Sequence, residues 1–247
     1  MARGVFSTAN FLKAASAPVS DFPFAISAWV YTTDLTVNQT IAGSFSDTAA
    51  SDYFRLSIFG AEVGDPIRWE VRRSSIIKSD TTSGITANTW HHVLGSSPGT
   101  NTHRVYIDGG SKGLATGTAT FPANLDNFGI GLLTRASAIQ PLIGYVAEVA
   151  FFNRDMWDDD AASLAKGYYP VRPLHYWPCG GLIAAKSTGN ELDIVGGLTA
   201  TENGTVGSVD HPSGLIYPSQ QFIPFPSAAG LPIPVASHHY TKNIGAA

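Results

Sequence analysis

Retaining glycoside hydrolysis needs two carboxylates about 5 Å apart, one to attack and one to protonate the leaving group. Glu191 and Asp193 stand two positions apart, which on a strand is one face. In a Glu-x-Asp-x-x-Glu strand pattern the two glutamates are the nucleophile and the acid; the second glutamate is missing here, where Gly196 and Gly197 follow. Glu148 sits in an apolar run with no carboxylate two or four positions away. Neither group has an acid partner in sequence, so no catalytic residue is expected and the protein reads as a non-enzyme. His91 and His92 are adjacent, and so are His238 and His239. Neighbouring side chains on an extended chain point to opposite faces, so neither pair can hold one ion directly. Calcium wants about six to eight oxygens, several of them carboxylates. Asp47, Asp52 and Asp126 are weak candidates, since no loop carries a run of alternating aspartates. No cofactor is expected. Cys179 has no sequence pattern of a paired nucleophile around it and reads as a buried thiol.

Sugar recognition asks for something else: aromatic faces for stacking, with a few polar groups to orient hydroxyls. Tyr31, Phe45, Tyr53 and Trp157 fall at predicted strand ends or loops and are the candidate platform. Trp157 stands just before a predicted helix, which leaves Asp158 as the expected cap.

The elements that must position these groups are mostly strands. Phe24–Tyr31 alternates with Phe24, Ile26, Ala28 and Val30 on one face and Trp29 and Tyr31 on the other. In Tyr53–Phe59 the inward set is Phe54, Leu56 and Ile58, with Arg55 and Ser57 outward. Ile67, Trp69 and Val71 alternate with Arg68, Glu70 and Arg72, the pattern of a strand with one wet face. Trp90–Leu94 and His103–Ile107 bracket a loop, and Asp108-Gly109 is a strong hairpin signal. Ile143–Phe152 is apolar on both faces, as in a sheet centre. One helix is predicted over Asp158–Lys166, with acids in its first turn, Lys166 in its last and Gly167 as its stop.

Of 247 residues only 14% are charged, and the net charge is −4 with no basic run. Phosphate-backbone binding needs clustered Lys and Arg, so nucleic acid is not an expected partner. No apolar stretch reaches membrane-spanning length, and the single cysteine allows no internal disulfide. The opening residues lack the apolar core of a secretion leader, so synthesis in a reducing cytosol is expected. From Pro212 onward six prolines recur up to Pro234, and Lys242 is the only formal charge. Proline removes amide donors, so residues 213–247 read as an extended arm. Phe222, Ile223, Phe225, Leu231 and Ile233 make that arm too apolar for a solvated linker: it either wraps back over its own domain or grips a neighbouring subunit.

Three segments taken together resemble the laminin-G-like, concanavalin A-like jelly-roll domains: Phe24–Tyr31, then Trp90-His91-His92-Val93 with Tyr106–Gly109, then Phe151–Arg154 running into the helix. That resemblance implies an all-β, two-sheet antiparallel sandwich over residues 1–212, with one short helix and the C-terminal arm. Leu174–Pro178, Ser187–Asn190 and Gly196–Leu198 resemble the segment that opens many such domains, displaced here to the end. The displaced strand is expected beside the first strand, Arg3–Phe6. This order is similar to proteins of tailed phages and prophages. It implies a virion structural protein, decorating a capsid or belonging to a fibre, with other virion proteins and further copies of itself as partners. A carbohydrate-binding lectin module for adhesion is the alternative.

Overall fold

The computed structural model describes residues 2–49, 51–73, 75–135, 138–179 and 189–212. The arm residues Phe222, Ile223, Phe225, Leu231 and Ile233, and His238 and His239, lie outside the described residues. In chain order the strands are β1 (Ala2–Gly4), β2 (Phe11–Ala14), β3 (Phe24–Thr32), β4 (Asn38–Phe45), β5 (Tyr53–Phe59), β6 (Pro66–Arg73), β7 (Ser75–Gly84), β8 (Trp90–Ser97) and β9 (His103–Ile107). They continue as β10 (Gly110–Ala115), β11 (Asn127–Ile130), β12 (Leu133–Thr134), β13 (Ala138–Ile139), β14 (Gly144–Phe152), β15 (His175–Trp177), β16 (Thr201–Asn203) and β17 (Gly207–Val209). The helix α1 spans Asp158–Leu164.

Two antiparallel sheets result. The first runs β10-β9-β8-β3-β14-β1-β17, with β15 also paired to β14; the second runs β16-β2-β11-β4-β5-β6-β7. The expected jelly-roll sandwich is therefore present. Strand alternation supplies the core: Ile26, Ala28 and Val30 of β3 and Val93 of β8 face Phe54, Leu56, Ile58 and Trp69 of the other sheet. Trp69 crosses the interface, and its indole N–H donates to Ser97 Oγ at 2.8 Å. Gly95 makes room for that ring, since a Cβ there would lie 2.3 Å from it.

The Asp108-Gly109 turn has φ of 52° and 73°, the left-handed pair that a tight hairpin needs, and it joins β9 to β10. The helix differs from expectation at both ends. Trp157 is its cap residue, with its amide donating to Asp160 Oδ2 at 2.8 Å, so Asp158 is already the first helical residue. Lys166 falls beyond the last turn, while Gly167, at φ +80°, closes the chain away. Ala161 and Leu164 pack with Met156 against Leu94, Tyr106 and Phe152 on the outer face of the first sheet.

The outer face of the second sheet is also covered, contrary to the wet face expected for Arg55, Arg68 and Glu70. These three are 6%, 4% and 1% exposed. The segment from Gly131 to Leu142, which carries the β12–β13 pair, bonds back to Ile41 and Thr40 of β4. Its Gln140 meets Arg55, which also pairs with Glu70. Arg68 pairs instead with Asp80 at 2.5 Å and Glu62 at 2.6 Å, so each of these three buried charges has a partner, as burial demands.

The C-terminal segments close both sheets. A register shift between Ala147 and Ala150, with Glu148 at φ +54°, divides β14 into two halves. The first half pairs with β1 and the second with β15. The displaced strand therefore lies along the same edge of β14 as β1, in line with it; it is not beside β1 as expected. The place beside β1 goes to β17, and β16 takes the edge of the second sheet beside β2. No helix among the described residues is long and apolar enough to cross a membrane.

Candidate functional site

On the outer face of the first sheet, Trp90, Tyr31 and Tyr145 occupy one rung of three neighbouring strands. Tyr31 is the cross-strand partner of Trp90 on one side and of Tyr145 on the other. Directly paired residues share a face, so the three rings form a row. Adjacent ring centroids are 5.6 Å apart in both pairs. All three side chains are half-buried, and α1 covers only the opposite end of this face. On the next rung Trp29 leans on His92, centroids 5.5 Å apart.

The row ends on glycine. Gly4 is the β1 partner of Tyr145, and a Cβ on it would lie 2.0 Å from the Tyr145 ring. Next comes Val5, a β-branched residue at φ +62° that is 62% exposed. Such a residue rarely adopts the left-handed region. Val5, Phe6, Thr33, Leu142 and Ile143 join Tyr145 around a cleft of about 230 Å³ with no charged lining residue. Tyr31 Oη stands 3.5 Å from Asn88 Oδ1.

Of the four aromatics read from sequence, Tyr31 is in this row. Phe45 and Tyr53 are not platform residues: they are 0% and 4% exposed, packed with Leu133 beneath the segment that crosses the second sheet. Trp157 is exposed, at 54%, but stands apart at the helix start. Its ring lies 4.1 Å from the Arg104 guanidinium, which Asp155 holds at 2.7 Å. Trp90 and Tyr145 were missed because only the β8–β3–β14 register aligns them with Tyr31.

Of the calcium candidates, Asp47 and Asp126 come together, sharing the Asn127 side-chain amide at 3.0 and 2.7 Å. Asp47 takes an ion pair from Lys13 at 2.7 Å, and Asp126 accepts the Asp47 amide at 3.0 Å. Asp52 is 8% exposed. Among the described residues no group of three His, Cys, Asp or Glu could hold a metal ion.

The carboxylates weighed for hydrolysis are buried, Glu148 at 3% exposure and Glu191 at 4%. Both charges act on the Cys179 thiol, which burial pushes far above its ordinary value. Glu148 Oε1 meets His211 Nε2 at 2.7 Å, and burial raises the Glu148 carboxyl despite that contact. Asp193 accepts hydrogen bonds from His175 and from the amides of Tyr176, Val195, Gly196 and Leu198. Burial works to raise its pKa, but these donors prevail and hold it below the usual carboxylate range.

A relay of Asp108, His91 and Thr86 has the order of an orienter, a base and a hydroxyl. Asp108 Oδ2 to His91 Nδ1 is 2.6 Å, and His91 Nε2 to Thr86 Oγ1 is 2.8 Å. Asp108 Oδ1 also accepts the His92 amide, so this carboxylate ties the β9–β10 turn to β8.

The family model for the concanavalin A-like lectin/glucanases superfamily matches residues 6–162. The chain belongs to this superfamily. Three solved structures are similar to this chain in fold at low identity. A heptameric SAP-like pentraxin from Limulus polyphemus is similar at TM-score 0.59 and 12% identity, over 80% of this chain and 88% of that one. A putative carbohydrate-binding protein from Bacteroides ovatus is similar at TM-score 0.59 and 19% identity, over 85% and 60%. The CBM40 of Ruminococcus gnavus IT-sialidase, bound to α2,3-sialyllactose, is similar at TM-score 0.50 and 15% identity, over 59% and 84%. At these identities the likeness is one of fold. No curated protein matches the concanavalin A-like chain by sequence.

Proposed function

We propose that this protein is a non-catalytic carbohydrate-binding module that holds an uncharged glycan against the Trp90–Tyr31–Tyr145 row. The observation that carries this is the row itself: three half-exposed rings on one rung of a rigid sheet. Tyr and Trp offer large, stiff, amphipathic faces at low entropic cost. Sugar rings present C–H faces to such surfaces, and their hydroxyls turn outward to water or to groups such as Asn88. Two of the structures similar in fold are named for carbohydrate binding or hold a sugar, which supports the reading. The burial of Glu148 and Glu191 supports a binding role over a hydrolytic one. The virion role expected from segment order draws no support from these likenesses.

The test is calorimetric titration of the whole chain with neutral oligosaccharides of several backbones. Tyr31→Ala and Tyr145→Ala should weaken binding of the accepted glycan at least tenfold, about 1.4 kcal/mol, with thermal unfolding still cooperative. Trp157→Ala should leave affinity unchanged. Absence of binding to every backbone, or binding indifferent to both tyrosine variants, would remove this reading.

A further inference from the structure

Resting on that reading, we infer that the row and the cleft beside it select glycans bearing 2-acetamido groups, with a sugar stacked on Tyr145 and its acetamido methyl seated against Val5 and Ile143. Tyr145 belongs to both features: its ring faces Tyr31 in the row and lines the cleft. A sugar on Tyr145 therefore presents its ring substituents to the cleft. Val5, Phe6, Leu142 and Ile143 form its walls, and Ile143 is itself 36% exposed.

What the cleft can accept follows from its polar groups. The Ile143 carbonyl already receives Thr33 N–H at 3.0 Å, Thr32 Oγ1 at 3.2 Å and Thr33 Oγ1 at 3.3 Å. A sugar hydroxyl entering there would lose its water and find that acceptor taken, which is unfavourable. A methyl group gains from the same surroundings. An ammonium or carboxylate substituent would meet no opposite charge in the lining. Of the common substituents on a sugar ring, acetamido puts a methyl at the end of a short polar link, and exposed Thr33 at the rim can serve that link.

Val5 makes the wall. Its left-handed backbone turns the side chain outward at the end of β1, and Gly207 of β17 leaves it space, a Cβ there lying 3.0 Å from Val5 Cγ2. Asparagine tolerates that backbone far better than valine does. Val5→Asn should therefore fold while replacing an apolar wall with a polar one.

The experiment titrates the full chain with chitotetraose, cellotetraose and the deacetylated glucosamine tetramer. Wild type should bind chitotetraose at least tenfold tighter than either of the others. Val5→Asn should narrow the preference over cellotetraose to less than threefold, without weakening cellotetraose. Equal affinity for chitotetraose and cellotetraose, both lost in Tyr31→Ala, would overturn the acetamido assignment and leave the platform standing. Binding of neither would overturn both. A bacterial wall tetrasaccharide, with acetamido groups and lactyl carboxylates, separates two natural sources. Weaker binding than chitotetraose points to a chitin-like chain and equal binding to wall glycan, and either result presupposes the preference for acetamido sugars.

Discussion

His175 Nδ1 lies 2.6 Å from Asp193 Oδ2, and the same carboxylate gathers four backbone amides around it. This one side chain ties β15 to the segment that returns toward β16. Asp193→Ala would strand five donors, several of them shielded from water. Unmade buried hydrogen bonds cost about 1–3 kcal/mol each before relaxation. We expect a net loss of about 3 kcal/mol and a fall in melting temperature of roughly 10 °C for a domain this size. Calorimetry of the variant beside Asp193→Asn checks it; an unchanged melting temperature would show that the loop holds without the carboxylate.

His92 is 2% exposed beside Trp29, and burial lowers its pKa to about 4 against the weak pull of Asp108. A lowered pKa means that the unfolded state takes up the proton first. The stability from this group is present above about 6.5, the ordinary histidine value, and is lost progressively as the pH falls toward 4. A shift of this size corresponds to about 3 kcal/mol. His92→Phe should move the acid unfolding midpoint downward. The measurement is denaturant unfolding at pH 7, 5.5 and 4, and parallel loss in both proteins would count against the assignment.

Glu148 has the opposite sign. Burial raises its carboxyl, and the His211 contact only partly offsets that. The folded state then favours the protonated form. Its contribution is complete below the ordinary carboxylate value and is lost as the pH rises through the raised folded value. Glu148→Gln keeps the shape and a hydrogen bond to His211 but carries no buried charge. The variant should gain stability on wild type at pH 8 and converge with it near pH 4. A constant difference across that range would mean that Glu148 does not titrate with folding.

Gly95 and Trp69 are matched in shape across the sandwich. With Gly95→Ala, the new Cβ would sit 2.3 Å from the indole. Overpacking of this kind costs about 1–3 kcal/mol. Loss of the Trp69–Ser97 hydrogen bond should show as a change in near-ultraviolet circular dichroism. An unperturbed spectrum with unchanged stability would mean that the ring shifts freely.

The alternation of Phe24–Tyr31 and Tyr53–Phe59, the Asp108-Gly109 turn and the acidic start of α1 are local signals, and the sandwich was legible from them. Each depends on period-two burial, left-handed φ or dipole complementarity within a few residues. Sequence alone also placed Tyr31 on the face away from the core. Which neighbours Tyr31 would have could not be read, because register across β8, β3 and β14 joins residues more than fifty positions apart. The same cause put Phe45 and Tyr53 in the wrong class. Their strands present them outward, but Leu133 and Ile139 pack over them, and no local pattern in β4 or β5 records a cover from elsewhere in the chain. Strand identity is a property of the chain's own period; a site on a sheet depends on which strands meet and what lies above them, and only the tertiary structure decides that.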